Sequence, residues 1–474
     1  MVSEAERPAS WLPTSRLLSN LVAVRLDETD NHAQQLGIWR MSVASRRQSR
    51  GAQHWLLVTG LMMAALPSAR ADDLRGELKR FLYDDATATL HVRSYFIDSQ
   101  NPTPPNLVAQ VAGGWVGLQT GWLYDTFQLG AVGYTTQPIW APQDSWNTSN
   151  GTLLLKPDGY GFFTLGQAYA SARWQGQTFT GYRQYIDELE VNPHDNRELP
   201  VTFEAYALRG KLGAVNYFAG YVAAQKPRDF SAFINMGEAA GAPNYNRGMA
   251  LGSVKYGSMD NLQLRASTYY VPDILWSSYS DAGGTIPISE DFKVQLSGQL
   301  AVQGSNGLNL LTGQPFSTFW AGGRAEAIWG PISLWGGYTQ TGSAAAWRSP
   351  YGIWIGYTKQ QVLDFDRAGE RAYQAGAAYD FKGARLPGLV FFASATYGAD
   401  AIKPASGRAL PQNWEYDLDL QFRADLLPVP DWLKPFQLRG RVAFMDEYLN
   451  NRVTSFSEYR VILNYEVTWK GPHR

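Results

Sequence analysis

Between Ser457 and Trp469 the chain alternates without a fault. Glu458, Arg460, Ile462, Asn464 and Glu466 fall on one side, and Tyr459, Val461, Leu463, Tyr465, Val467 and Trp469 on the other. Successive strand side chains point to opposite faces, so the segment predicts a strand with one apolar, aromatic-ended face and one mostly polar face. The same period recurs upstream. Phe292, Val294, Leu296, Leu300 and Val302 alternate with Lys293, Gln295, Ser297, Gln299 and Gln303, and Leu262, Leu264, Ala266 and Tyr270 alternate with Gln263, Arg265 and Ser267. Tyr416, Leu418, Leu420 and Phe422 alternate with acids and Arg423, and Phe436, Leu438, Val442 and Phe444 alternate with Gln437, Arg439 and Arg441. Turns rich in Gly, Pro, Asn and Asp separate these runs, and 3.6-residue periodicity is scarce. An apolar face of this kind is buried in a soluble sandwich but faces lipid in a membrane barrel, whose polar face lines the lumen.

The spacing favours the barrel. At roughly 20–24 residues per strand and connection, the chain supplies about 16–18 strands, an even number as bacterial barrels require. Short turns alternate with long polar stretches at 137–159, 188–200 and 351–369. That is the pattern of short periplasmic turns and long extracellular loops. A propeller would show a blade repeat, and none is visible. The expected fold is an all-β, transmembrane antiparallel β-barrel.

The N-terminus points to export. Arg46, Arg47 and Arg50 precede the apolar run Trp55–Leu66, followed by Ala69-Arg70-Ala71, the order of a secretory signal peptide. Residues 41–71 are read as that signal, 1–40 as a mis-assigned upstream extension beginning before Met41, and 72–474 as the barrel domain. Beyond the N-terminal region no 18-residue apolar run occurs, so helical membrane spans are not expected.

Composition narrows the function classes. The net charge of −1 gives no support to a nucleic-acid partner, and the absence of Cys removes disulfides and thiolate metal sites. Of five His, only His91 and His194 lie in the barrel domain outside the C-terminal tail. No H-E-x-x-H, G-x-S-x-G or P-loop spacing occurs, so no enzymatic role, metal or cofactor is expected.

Several segments, in shared order, resemble one known family. The run Asp195-Asn196-Arg197-Glu198-Leu199-Pro200-Val201-Thr202-Phe203-Glu204-Ala205 is similar to a D-x-R-x-x-P-x-T-F-E-G/A segment of OprD-type outer-membrane porins. So are Asn235-Met236-Gly237-Glu238-Ala239-Ala240-Gly241, Tyr270-Val271-Pro272-Asp273-Ile274-Leu275 and Leu310-Leu311-Thr312-Gly313-Gln314-Pro315-Phe316-Ser317. Asp364–Ala372, followed by Tyr379-Asp380-Phe381, resembles the family's F-x-x-A-G-E and Y-D-F words. The resemblance implies a barrel of about 18 strands, monomeric or weakly trimeric, in a Gram-negative outer membrane beside lipid and lipopolysaccharide. It also implies loops folded inward and passive uptake of small anionic or zwitterionic nutrients. One departure is the five-residue extension Lys470–Arg474 beyond the terminal aromatic.

With apolar faces toward lipid, Arg93, flanked by His91 and Tyr95, points inward, as do Arg183, Arg265, Lys293, Arg324, Arg423, Arg439, Arg441 and Arg460. A guanidinium on the lipid face near the midplane would cost roughly 2–4 kcal/mol. The planar fork of arginine binds carboxylates bidentately, so spaced arginines suit a path for small carboxylates or amino acids. Glu415, Asp417, Asp419, Glu458 and Glu466 are available to neutralise them instead. Asp195, Asn196, Arg197 and Glu198, stiffened by Pro193 and Pro200, form the candidate constriction loop, with Asp364–Glu370 a second candidate. The expected function is energy-independent diffusion of small hydrophilic solutes. Two alternatives stand beside it, a plugged structural barrel without transport and a secreted carbohydrate-binding β-protein.

Overall fold

The computed structural model describes residues 71–472, so the export signal and the upstream extension lie outside the described residues except for Ala71. Among the described residues, a short helix, α1 (Ala71–Lys79), leads into an antiparallel barrel of 18 strands. In chain order these are β1 (Thr87–Gln100), β2 (Asn106–Gln119), β3 (Phe127–Trp140), β4 (Phe162–Trp174), β5 (Gln177–Gln184) and β6 (Thr202–Leu212). Then follow β7 (Val215–Lys226), β8 (Met249–Gly257), β9 (Gln263–Val271), β10 (Leu275–Pro287), β11 (Phe292–Gly304) and β12 (Ser317–Trp329). The last six are β13 (Ile332–Thr341), β14 (Arg371–Asp380), β15 (Leu389–Ala399), β16 (Gln412–Arg423), β17 (Phe436–Leu449) and β18 (Arg452–Lys470).

Each strand pairs with its sequence neighbours, and β1 closes the sheet on β18 in the register His91↔Glu466, Arg93↔Asn464 and Ile97↔Arg460. Closure removes every free edge, which lets a sheet cross hydrocarbon without unsatisfied backbone groups. The alternation read in the closing strand is realised in β18. Glu458 and Arg460 are buried on the inner side, while Val461 and Trp469 are about half exposed on the outer. Outward-facing aromatics gather at both rims: Trp174, Trp329 and Trp469 at one, Phe163, Tyr270 and Tyr373 at the other. An apolar wall between two aromatic girdles is the exterior of a membrane barrel. A secreted soluble protein does not fit such a wall.

The two ends differ. Turns at 175–176, 213–214 and 330–331 close one end, where α1 also sits and Phe81 O accepts from Gly121 N at 2.8 Å. The other end carries the long connections 141–161, 185–201, 227–248 and 342–370. These loops turn into the barrel. Two apolar clusters form where they meet the inner wall of β6–β12. Ile186, Val191 and Tyr351 join Phe203, Tyr269 and Leu275 in one, and Trp347 and Trp354 pack on Trp320 and Tyr279 in the other. The Trp354 ring lies 4.9 Å from Trp320 and 4.8 Å from Trp347, so this half of the lumen is filled by packing as in a domain core.

Candidate functional site

Loop filling on one side leaves the polar space on the other, along β1 and β16–β18. The tip Asp195–Glu198 of loop 185–201 is seated against β1. Arg93, 3% exposed, donates from Nη1 to Asp195 Oδ1 at 2.6 Å and to the Arg197 carbonyl at 2.6 Å, and from Nε to Asn464 Oδ1 of β18 at 2.7 Å. Tyr95 Oη donates to the Asn196 carbonyl at 3.1 Å, and Arg197 Nε donates to the Thr152 carbonyl of loop 141–161 at 3.0 Å. A charged pair held by further hydrogen bonds to backbone carbonyls is the arrangement that tolerates burial.

Loop 342–370 is tied in beside it. Asn192 Nδ2 donates to the Ile353 carbonyl at 2.9 Å while Ile353 N donates back to Asn192 Oδ1 at 2.8 Å, clasping the two loops. From the wall, Glu415 accepts from Val362 N at 2.7 Å and Leu363 N at 2.6 Å, and Asp417 accepts from Gln361 N at 2.7 Å. Backbone amides of the loop therefore hydrogen-bond both acids. The charges of the second candidate loop, Asp364–Glu370, turn largely on themselves. Arg367 pairs with Glu370, and Asp364 with Lys359 at 2.7 Å.

Between the Asp195–Arg197 tip and the wall lies a polar space. Of the residues singled out from sequence, Arg93, Asp195, Asn196, Arg197, Arg423, Arg439 and Arg441 line it. Asp195 is the one carboxylate in that lining, against five arginines. Asn464, Gln421 and Gln437 complete the polar surface; all three fall on the polar side of their strands' alternation but carry no charge to single them out.

The remaining candidates are elsewhere. Arg265 is on the inner face of β9, paired with Asp281 at 2.5 Å, and Arg324 on that of β12, paired with Glu326 at 2.9 Å under the Trp335 ring. Lys293 is exposed near the short-turn end of β11 with no ion pair among the described residues. Arg460 is buried against Glu458 and donates to the Gln361 carbonyl at 3.1 Å. Arg183 faces Glu204 at 3.8 Å and lies over the Phe233 ring at 4.3 Å. Tyr182, at φ 81°, interrupts the alternation just before it, so parity counted along β5 does not carry through to Arg183.

Pairing with acids is extensive at the passage too. Arg439 Nε reaches both carboxylate oxygens of Asp419 at 3.0 Å, Arg441 Nε lies 3.2 Å from the same group, and Arg423 pairs with Asp425 at 2.6 Å. One acid shared by two guanidiniums leaves a surplus of positive charge on β17.

Glu198 is the acid of the tip with no partner. It is 1% exposed, and neither carboxylate oxygen meets a donor. Burial pushes its carboxyl up to about 8, with Arg93 pulling it down and Asp195 pushing it up. In the unfolded chain the group ionises near 4.5, so the seated loop loses stability as pH rises from about 4.5 to about 8 and loses no more above that. Above pH 8 a carboxylate appears beside Arg93. Anion preference, read as a reversal potential in a salt gradient, is expected to fall between pH 7 and 9 and to stay flat in Glu198→Gln. An equal fall in the variant would remove Glu198 as the cause.

Comparison with known proteins agrees with this architecture. The model of the outer membrane porin, OprD family, matches residues 184–469. The fold is similar to Pseudomonas aeruginosa OpdK crystallised with vanillate, at TM-score 0.70 and 20% identity, covering 81% of this chain and 99% of that one. It is also similar to a BenF-like porin from Pseudomonas fluorescens Pf-5, at TM-score 0.71 and 17% identity over 82% of this chain and 100% of that one. Acinetobacter baumannii OccAB1 gives TM-score 0.72 at 16% identity, over 82% and 98%. No curated protein matches the chain by sequence.

Proposed function

Since the chain belongs to the OprD family of outer membrane porins, channels for diffusion of small solutes across the Gram-negative outer membrane, we propose that its passage favours small carboxylates. The observation that supports this reading is the lining itself, five arginines against one aspartate at the tip of the in-folded loop. A solute carboxylate passing there trades water for charge-assisted donors on both sides, each bond weak enough in a wet lumen to be released. Vanillate, the ligand crystallised with OpdK, is an aromatic carboxylate of the class proposed. Zwitterionic amino acids have the same recognisable end. Transport is downhill and needs no energy source, and one barrel working alone suffices, because the loops and the wall that form the passage belong to a single chain.

Liposome swelling with a panel of carboxylates, neutral sugars and cationic amino acids tests the proposal. Carboxylates should enter several-fold faster than sugars of equal size, and cationic amino acids slowest. Equal rates across the panel would reject selection by the arginines, and no swelling with any solute would favour a plugged barrel.

A further inference from the structure

Three buried cations near the constriction have no carboxylate within ion-pair distance. Arg197 of loop 185–201, Arg228 of loop 227–248 and Lys226 at the end of β7 are 3%, 8% and 0% exposed, and none forms a salt bridge among the described residues. Lys226 donates to the neighbouring Pro227 carbonyl at 2.8 Å and has the Tyr134 and Phe162 rings within 5.8 Å. Arg197 and Arg228 have no such aromatic shelter. Both converge on Asn196: Arg197 Nη1 donates to its carbonyl at 3.0 Å and Arg228 Nη1 to its side-chain Oδ1.

Two donors are left over around this point, alongside the unpartnered oxygens of Glu198 and of Glu458. Asn196 Nδ2 is buried without an acceptor, and so is Arg460 Nη1. Burial and the neighbouring Arg197 together hold the Arg228 guanidinium down at about 9, with Asp229 only partly offsetting them. Asp229 acts on all three cations from beyond ion-pair distance, and buried charge that is only partly compensated is costly for a fold to carry. Convergent donors beside it call for an acceptor that carries negative charge.

We propose that a small inorganic anion of halide size binds between the guanidiniums of Arg197 and Arg228, against Asn196 Nδ2, and fixes the tip of loop 185–201. A single-atom acceptor suits the site because Arg197 already uses Nε on Thr152 and Nη1 on Asn196 and is hydrogen-bonded with Tyr95 as well, so it offers no free fork. The site shares Arg197 with the lining of the passage but uses neither Arg439 nor Arg441. It makes the seating of the constriction depend on the anion of the surrounding salt.

Bromide is the probe. Crystals of the detergent-solubilised protein soaked in sodium bromide should show an anomalous peak within hydrogen-bond reach of both guanidiniums, and Arg228→Met should lose that peak alone. Absence of the peak in the native protein, or its persistence in the variant, overturns the proposal. A 4-bromobenzoate soak should leave the site empty; a peak there would make it a solute carboxylate site instead. In solution, the native protein should melt at higher temperature in sodium bromide than in equimolar sodium gluconate, and identical melting overturns the proposal. The soak and the melt of the native protein decide the matter even if the variant fails to fold. Failure of carboxylate selection in liposomes would leave both readouts untouched.

Discussion

Arg93→Ala is expected to give a wider, noisier channel. The guanidinium ties the loop tip to the seam of the barrel by charge, through Asp195, the Arg197 carbonyl and Asn464 together, with Tyr95 adding one hydrogen bond. Removing one member of a buried pair costs about 3–5 kcal/mol, because the partner is left charged and unsatisfied. Spread over a loop that can swing into the open lumen, that cost moves the balance of seated and unseated states by about two to four orders of magnitude. The barrel itself does not depend on the pair, since its strands are held by complete ladders on both sides. Single-channel recordings in planar bilayers should show larger conductance with frequent substates, while heat-modifiable migration on a gel stays normal. Unchanged conductance would mean that the other tethers, Tyr95 and Arg197, hold the tip alone.

The second large effect is on charge selection. Arg439→Ala with Arg441→Ala deletes two of the five arginines of the lining and at the same time frees Asp419, which both of them neutralise. Each charge acts on an ion about 4 Å away with about 1 kcal/mol even in a water-like dielectric. Two lost cations and one unmasked anion therefore change the ratio of anion to cation permeability by about tenfold to a hundredfold. Reversal potentials in a potassium chloride gradient should move toward the cation side. Arg265→Ala, whose partner Asp281 lies on the far wall, should move them much less. Equal shifts in the two variants would point to a general field of the lumen in place of a local filter.

Much of the fold could be read from residue patterns because a barrel wall obeys a local rule. The period of two in β18 states which side is wet, and the same rule put Arg93, Arg439 and Arg441 inside. The count is interrupted where the backbone departs from the rule. Tyr182 in the left-handed region disturbs the count at Arg183, and a register shift lies between Glu204 and Ala205. Loop architecture was less legible. Trp347 and Trp354 stand in a stretch otherwise rich in turn formers, and what makes them core is the distant Trp320 and Tyr279. The pairing of acids with bases had the same character. Asp417 and Glu415 looked like partners for arginine, yet backbone amides of loop 342–370 hydrogen-bond them, contacts between positions 52 to 56 residues apart. Composition can supply a list of donors and acceptors, but only the closed barrel decides who meets whom.

The ladder between β1 and β18 sets an order of events. Arg93 belongs to the first strand and Asn464 to the last, and they become neighbours only when the two ends of the chain meet. The loop tip between them is made far earlier in the sequence, at 195–198. A barrel still open at that seam has every strand needed for a hole but lacks the complete seat for its filter. The joint hold of Arg93 and Asn464 on the loop tip is therefore completed only when the first and last strands meet.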